Sequence, residues 1–255
     1  MNETNNQKTD DQETIKKEPT KRIEIIDALR GLSVTLMVFH HFFYNLAQFL
    51  GFPWWIYRNP VFNILSPFFA GLLIFLSGVS SRFSRGNISR GAIAMVISML
   101  ITYVTVRMDM PIWFGVLHLL SFSMLFFGIT QKFWDIIPKK AAPIIFITVI
   151  ITTALLREHI TLTTNNIWLH DIYSLLGWPQ EGFISLDYFP ILPWLFVFLL
   201  GTWAGIYIKE RKLPEWFYEA KFPIFPAVGR KALIIYVLHQ PVLYGIVMLI
   251  LYFRQ

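Results

Sequence analysis

Histidines that could carry protons lie inside three long apolar stretches of the sequence. His40 and His41 are adjacent in the first stretch, His118 lies in the second and His239 in the third. An imidazole has an unperturbed pKa of about 6.5, so it can act as a general base near neutral pH. Metal binding is the rival use, but these stretches contain no His-x3-His pair and no paired carboxylates. We therefore expect proton transfer or nucleophilic catalysis, and no metal.

The first of these stretches carries a polar stripe along one face of a predicted helix. At about 100° per residue, six polar side chains fall within one sector about 100° wide. Unsatisfied polar groups cost several kcal/mol each in lipid, so this face must line a cavity or pack as a polar seam between helices. His40 falls outside the stripe, which predicts a packing role for it. The six residues are Asp27, Arg30, His41, Tyr44, Asn45 and Gln48.

The other two stretches add further polar groups to the interior. His118 and Ser121 share one helix face, and Tyr236, His239 and Gln240 share another. Three apolar stretches that each carry a histidine favour one shared interior site. Asp187, just before the apolar stretch at 190–208, could orient a histidine or accept a hydrogen bond from a hydroxyl group. A carboxylate there also suits an ordinary boundary of a membrane span.

The elements that must position these residues are membrane-spanning helices. The chain has 255 residues, of which 55% are apolar and only 15% charged, whereas soluble domains contain about 25% charged residues. Cysteine is absent, which excludes disulfides and thiolate chemistry. Crossing a bilayer takes about 20 mostly apolar residues. On that criterion the sequence predicts seven spans, at 26–50, 61–81, 90–106, 112–131, 141–156, 190–208 and 232–253.

The distribution of positive charge predicts the orientation of these spans. With the N-terminus placed inside, 18 of the 22 Lys and Arg residues lie on the inner side, as the positive-inside rule requires. The C-terminus is then outside, and the net charge of +6 reflects topology rather than nucleic-acid binding. We expect a disordered cytoplasmic tail at 1–22 and one membrane domain at 23–255, with a long outer loop at about 157–189.

Five segments of the chain resemble the heparan-α-glucosaminide N-acetyltransferase-like family, specifically its short bacterial branch. They are RIEIIDALRGLSVTLMVFHHF, FFAGLLIFLSGVS, WFGVLHLLSFSML, DYFPILPWLFVFLLGTWAG and GRKALIIYVLHQPVL. The spacing of Arg30 and His41, with ten residues between them, is also similar to a signature of the larger family of membrane acyltransferases that acetylate bacterial surface sugars.

This resemblance implies an all-α polytopic membrane acyltransferase of the bacterial plasma membrane. It implies acetyl-CoA as the cytosolic donor and a sugar or glycan outside as the acceptor. The animal members place a key histidine in the connection after the first span, and this chain has none there, so the role must pass to another histidine. A proton-linked transporter and a non-catalytic membrane partner are the alternatives, and the sequence leaves open whether the chain forms a homo-oligomer.

The resemblance also suggests roles for individual residues. His41 is the expected general base, with His118 and His239 as its catalytic partners. The arginines expected to hold the coenzyme A phosphates are Arg30, Arg82, Arg85 and Arg230. The residues expected to bind the acceptor are Asp27, Tyr44, Asn45, Asp187, Tyr236 and Gln240.

Overall fold

The chain forms a bundle of helices, seen in a computed structural model that describes residues 22–162, 164 and 166–254. The tail predicted at 1–22 lies outside this range except for Arg22. Within the described residues there is no β-strand, which confirms the all-α prediction. The seven long helices are α1 (Glu24–Leu50), α2 (Pro60–Phe83), α3 (Asn87–Arg107), α4 (Val116–Trp134), α5 (Ala142–His159), α7 (Ile191–Lys209) and α10 (Ala232–Phe253).

All seven are long and apolar enough to cross a membrane, so the seven predicted spans are confirmed to within a few residues. Three short helices lie in the connections: α6 (Ile167–Leu176), α8 (Glu215–Glu219) and α9 (Phe225–Arg230). We call the end of the bundle where α1 begins the basic end, since most Lys and Arg residues of the connections lie there, and the other end the opposite end.

Local sequence signals mark where α1 ends and α2 begins. Gly51 ends α1 with a φ of 71°, a left-handed conformation that glycine adopts without strain. Asn59 then caps α2 by accepting a hydrogen bond from the Phe62 amide at 3.0 Å, and Pro60 occupies the first helical position. The result is a short connection at the opposite end that returns the chain directly alongside α1.

Glycines bring neighbouring helix backbones into contact near the centre of the bundle. A Cβ atom on Gly78 of α2 would lie 2.0 Å from the Phe198 carbonyl oxygen of α7, and one on Gly201 would lie 2.0 Å from the Phe75 carbonyl oxygen. The Gly-x3-Gly motif at Gly201–Gly205 therefore packs α7 against α2. Around this contact the side chains of Ile74, Leu119, Phe127, Phe198 and Leu199 are completely buried.

The long connection between α5 and α7 folds over the opposite end of the bundle. After α6, its last residues run back between the helices, where the amides of Leu186 and Phe189 donate hydrogen bonds to the carbonyl oxygens of Pro111 and Phe114 at 3.0 and 2.9 Å. These bonds hold two connections side by side at the start of α4. They also bring Asp187 against the start of α4.

Candidate active site

An internal cavity lies between α1 and α2, beside the middle of α1 and along the half of α2 nearer the opposite end. It encloses about 240 Å³. Side chains spaced three and four residues apart form its two helical walls, from Ser33 to His41 on α1 and from Phe62 to Leu73 on α2. The connection at 186–189, Val116 of α4, Tyr57 and Tyr236 close it.

His41 lines this cavity and has His239 of α10 beside it, with the two ring centroids 4.9 Å apart. Nδ1 of His239 lies 2.6 Å from the carbonyl oxygen of Tyr236. A carbonyl oxygen only accepts, so this nitrogen must carry the proton, and Nε2 of a neutral His239 holds the lone pair. That Nε2 atom is buried and has no partner among the described residues. Nε2 of His239 is therefore an unused acceptor beside His41, and no hydrogen bond joins the two imidazoles in this conformation.

His40 contacts different neighbours from His41, as its position on the helix predicts. Its ring lies 4.7 Å from the ring of Tyr57 and 5.7 Å from that of Phe62. However, His40 also lines the cavity. A packing role alone therefore does not describe its place in the structure.

Asp187 places a carboxyl group in the cavity wall. Its Oδ2 atom accepts hydrogen bonds from the Val116 amide at 3.0 Å and from the Tyr236 hydroxyl at 3.1 Å. A Cβ at position 115 would lie 2.5 Å from Oδ2, so the glycine there leaves room for the Asp187 carboxyl group in this position. Asp187 belongs to the connection before α7, and burial raises the pKa of its carboxyl group. Oδ1 has no partner among the described residues, so it is available to a ligand in the cavity.

His118 lies away from this group, between α3 and α4. The Thr102 hydroxyl donates to the Ile112 carbonyl oxygen at 2.7 Å, so the 3.0 Å contact with His118 must have Nε2 of His118 as the donor. His118 does not line the cavity. Its position ties two helices together, and the structure does not bring it to His41.

The remaining polar residues of the predicted stripe lie beyond the cavity towards the opposite end. Asn45 is buried, and its side-chain amide donates to Gln240 of α10 at 3.2 Å. The Tyr44 ring lies 5.3 Å from that of Tyr57, whereas Gln48 is exposed. Asn45 and Gln240 thus join α1 to α10, and none of these residues lines the cavity.

At the basic end the stripe forms a helix contact instead of a cavity. Arg30 binds Asp27 at 2.7 Å and also donates to the Ser80 hydroxyl, which ties α1 to α2. The cavity wall begins at Ser33, and neither Arg30 nor Asp27 belongs to it. In this conformation the cavity does not extend to the basic end along the stripe.

A separate groove of about 660 Å³ lies at the basic end, beside the start of α3. Arg85 and Lys209 line it and are exposed, so their charges are available to an anion. Arg82 also lines it but is already bonded, to the Thr202 carbonyl oxygen at 3.1 Å and to Asp135 at 2.6 Å, with only 8% of its side chain exposed. Arg230 is exposed on α9 and lines neither the groove nor the cavity.

Packed side chains separate the groove from the cavity. Leu73 lines the cavity and Arg82 lines the groove, nine residues apart on α2, or about 14 Å along the helix axis. Ile74 and Val79 of α2 lie between them and are completely buried. We call these two residues, together with Phe198 and Leu199 of α7, the core layer.

Sequence reasoning missed part of the cavity wall. Tyr57 and Tyr188 line it, as do Ser33 and Ser66. Tyr57 was detectable in principle, because the short connection that carries it must cross the ends of the first two spans. No three His, Asp or Glu side chains come together as metal ligands within the described ranges.

A bundle of membrane-spanning helices that gathers two histidines and a buried carboxyl group around one cavity has the architecture of a membrane-embedded enzyme. Sequence comparison defines the class further. Residues 22–241, most of the chain, match the family described as heparan-alpha-glucosaminide N-acetyltransferase, catalytic, and the chain belongs to that family. This protein is therefore a multi-pass transmembrane acetyltransferase of a family that acts on sugars. No curated protein and no solved structure matches the chain significantly.

Proposed function

We propose that this protein transfers an acetyl group from cytosolic acetyl-CoA to a hydroxyl or amino group of an extracytoplasmic sugar, in the bacterial plasma membrane. The observation that carries this proposal is the pairing of His41 and Asp187 in the wall of one cavity. A base and a hydrogen-bond acceptor that line the same cavity can hold and deprotonate an acceptor group there.

The chemical step follows from these positions. Oδ1 of Asp187 accepts a hydrogen bond from one group of the sugar, and the reacting hydroxyl or amine donates its proton to His41. The freed lone pair attacks the thioester carbonyl, the new C–O or C–N bond forms, and the C–S bond breaks. The departing thiolate takes up the proton that His41 received, so His41 returns to its neutral form. His239 orients His41 throughout.

The donor is proposed to bind at the basic end. Arg85 and Lys209 supply positive charges for the phosphates of coenzyme A. Arg30, Arg82 and Arg230 are weaker candidates, since the first two are already paired and the third lies outside the groove. The thioester must then pass the core layer to reach His41. We therefore propose that α2 moves against α7 before the chemical step. Until this movement occurs, the thioester is kept away from His41, which would limit its hydrolysis.

The test is acetyl transfer by the purified protein in lipid nanodiscs. Because the chain has no cysteine, a thiol reagent reports released coenzyme A without any protein background. We expect acceptor-dependent release, and His41→Ala should lower its rate by roughly 10² to 10⁴-fold, the usual contribution of a general base. Ile93→Ala, at an exposed position of α3, serves as the control. A His41→Ala variant as active as the wild type would refute the assignment.

A further inference from the structure

The cavity has two chemically different parts. His41, Asp187 and Tyr57 provide polar groups, whereas Leu36, Phe62, Leu65, Phe69 and Leu186 provide an apolar wall that only Ser66 interrupts on α2. A sugar alone would use the polar part and leave the apolar wall without a partner. The wall therefore indicates that the ligand also carries a hydrocarbon portion.

Two residues of the wall mark its opening to the outside. Leu65 is 36% exposed and Leu186 is 46% exposed, although both line the cavity. Leu65 belongs to α2 and Leu186 to the connection beside it, so the opening lies on the side of the bundle between these two elements. Both residues are apolar, so the opening has no polar rim to attract a sugar from water.

This opening lies beside the first two turns of α2, one of the seven helices that are long and apolar enough to span a membrane. Leu65 is five residues inside α2, about 7 Å from the helix start. Leu186 adjoins Asp187, which is bonded to Tyr236 inside α10 and to the first amide of α4. An opening at this depth faces lipid chains. A soluble glycan would have to cross hydrocarbon to enter it, whereas an amphiphile already in the bilayer would not.

We propose that the acceptor is a membrane-embedded glycolipid that enters sideways between Leu65 and Leu186. Its sugar occupies the polar part beside His41 and Asp187, and its hydrocarbon chain lies along the apolar wall and continues into the bilayer. This inference rests on the proposed acetyl transfer and names the class of acceptor for the same site. The bonds made and broken are those given above.

Alkyl β-glucosides of increasing chain length test this inference. The protein in nanodiscs is given acetyl-CoA and ethyl, butyl or octyl β-glucoside below the micellar concentration, and kcat/KM is measured from coenzyme A release. Burial of each methylene corresponds to roughly a fourfold gain, so we expect octyl glucoside to exceed ethyl glucoside by at least tenfold. Equal values across the series would overturn the inference and leave acetyl transfer standing. Acetylation of no glucoside at all would contradict the proposed function itself.

Two tryptophan variants separate binding in the cavity from simple partitioning into the bilayer. Leu65→Trp narrows the opening and should bring the octyl-to-ethyl ratio close to one. Ile64→Trp is the matched control, because Ile64 is the preceding residue, is 71% exposed and does not line the cavity. This variant should keep the wild-type ratio. An unchanged octyl-to-ethyl ratio in Leu65→Trp would refute entry at this point. The inference would also be refuted if the protein preferred acyl-CoA donors with long chains and showed no preference for glucosides with long chains.

A cross-linking experiment gives an answer that does not depend on turnover. An octyl glucoside with a diazirine near the end of its chain is photolysed with the wild-type protein in nanodiscs, and its adducts are mapped by mass spectrometry. The inference predicts adducts concentrated at Phe62, Leu65 and Leu186. Competition by unlabelled octyl glucoside, but not by glucose, should remove them. Adducts spread evenly over lipid-facing residues such as Ile64 and Phe68 would overturn the inference.

Discussion

At the scale of single residues, the two adjacent histidines differ in the side chains that contact them. His41 has a second imidazole beside it, and that imidazole has a fixed tautomer because its Nδ1 atom is committed to the Tyr236 carbonyl oxygen. His40 packs against Tyr57 and Phe62, and its ring is 5.8 Å from that of His41 but has no contact with His239 among the ring pairs of the described residues. An orienting acceptor behind a catalytic imidazole sets which nitrogen faces the substrate. This difference supports His41 as the base.

A His239→Phe variant should test this orienting role. Phenylalanine keeps a ring against His41 but removes the Nε2 acceptor that is proposed to orient it. We expect kcat for coenzyme A release to fall at least tenfold, while KM for acetyl-CoA changes little because the proposed donor site is at the basic end. Thermal unfolding of the variant provides the check on folding. An unchanged kcat in a folded variant would show that His41 acts without His239.

Sequence reasoning predicted the direction of the histidines better than their surroundings. Periodicity predicted that His40 and His41 point in different directions, and their ring neighbours do differ, but both histidines line the cavity. It could not show that His118 lies between α3 and α4, away from the other histidines. The periodicity of one helix shows which residues share a face, but not which helices are neighbours in the bundle. Nor could it show that Arg30 is paired with Asp27 and Ser80, since that depends on where α2 crosses α1.

At the scale of elements, hydropathy was sufficient for the spans and insufficient for the cavity between them. A run of apolar residues has a length that directly sets the length of a membrane helix. The cavity depends instead on how the helices pack around it, and backbone contacts at glycines such as Gly78 and Gly201 set the position of α2 against α7. The short helices α6, α8 and α9 escaped prediction because each is shorter than a span and mixed in polarity.

A Gly78→Ala substitution should disrupt the contact between α2 and α7. Its Cβ would lie 2.0 Å from the Phe198 carbonyl oxygen, and backbone atoms cannot move aside cheaply. We expect the free energy of unfolding, measured by SDS titration in bicelles, to fall by about 3 kcal/mol or more. Gly245→Ala is the control, since nothing lies within 4 Å of its Cβ position, and it should change stability by no more than about 1 kcal/mol. Equal effects at both sites would contradict the close contact.

At the scale of the whole molecule, the positive charges concentrate at one end of the bundle. The positive-inside rule then predicts that this basic end faces the cytoplasm. Acetyl-CoA is proposed to bind at the same end, beside Arg85 and Lys209. The binding of acetyl-CoA and the orientation of the helices in the membrane would thus depend on the same distribution of positive charge.

Single cysteines can test the orientation directly, because the natural chain contains none. Arg254→Cys places a thiol just after α10, and Lys221→Cys places one in the connection between α8 and α9. An impermeant maleimide should label position 254 in intact cells and position 221 only after the membrane is opened. The reverse pattern would place the basic end outside and would move the donor groove away from the cytosol.

The core layer between the groove and the cavity affects whether protons can pass through the protein. A continuous water-filled passage through a protein with buried histidines would conduct protons and dissipate the gradient across the membrane. Ile74, Val79, Phe198 and Leu199 leave no surface to water, so the core layer interrupts any water path between the groove and the cavity. The resting conformation therefore offers protons no continuous aqueous route through this layer, although polar groups lie on both sides of it.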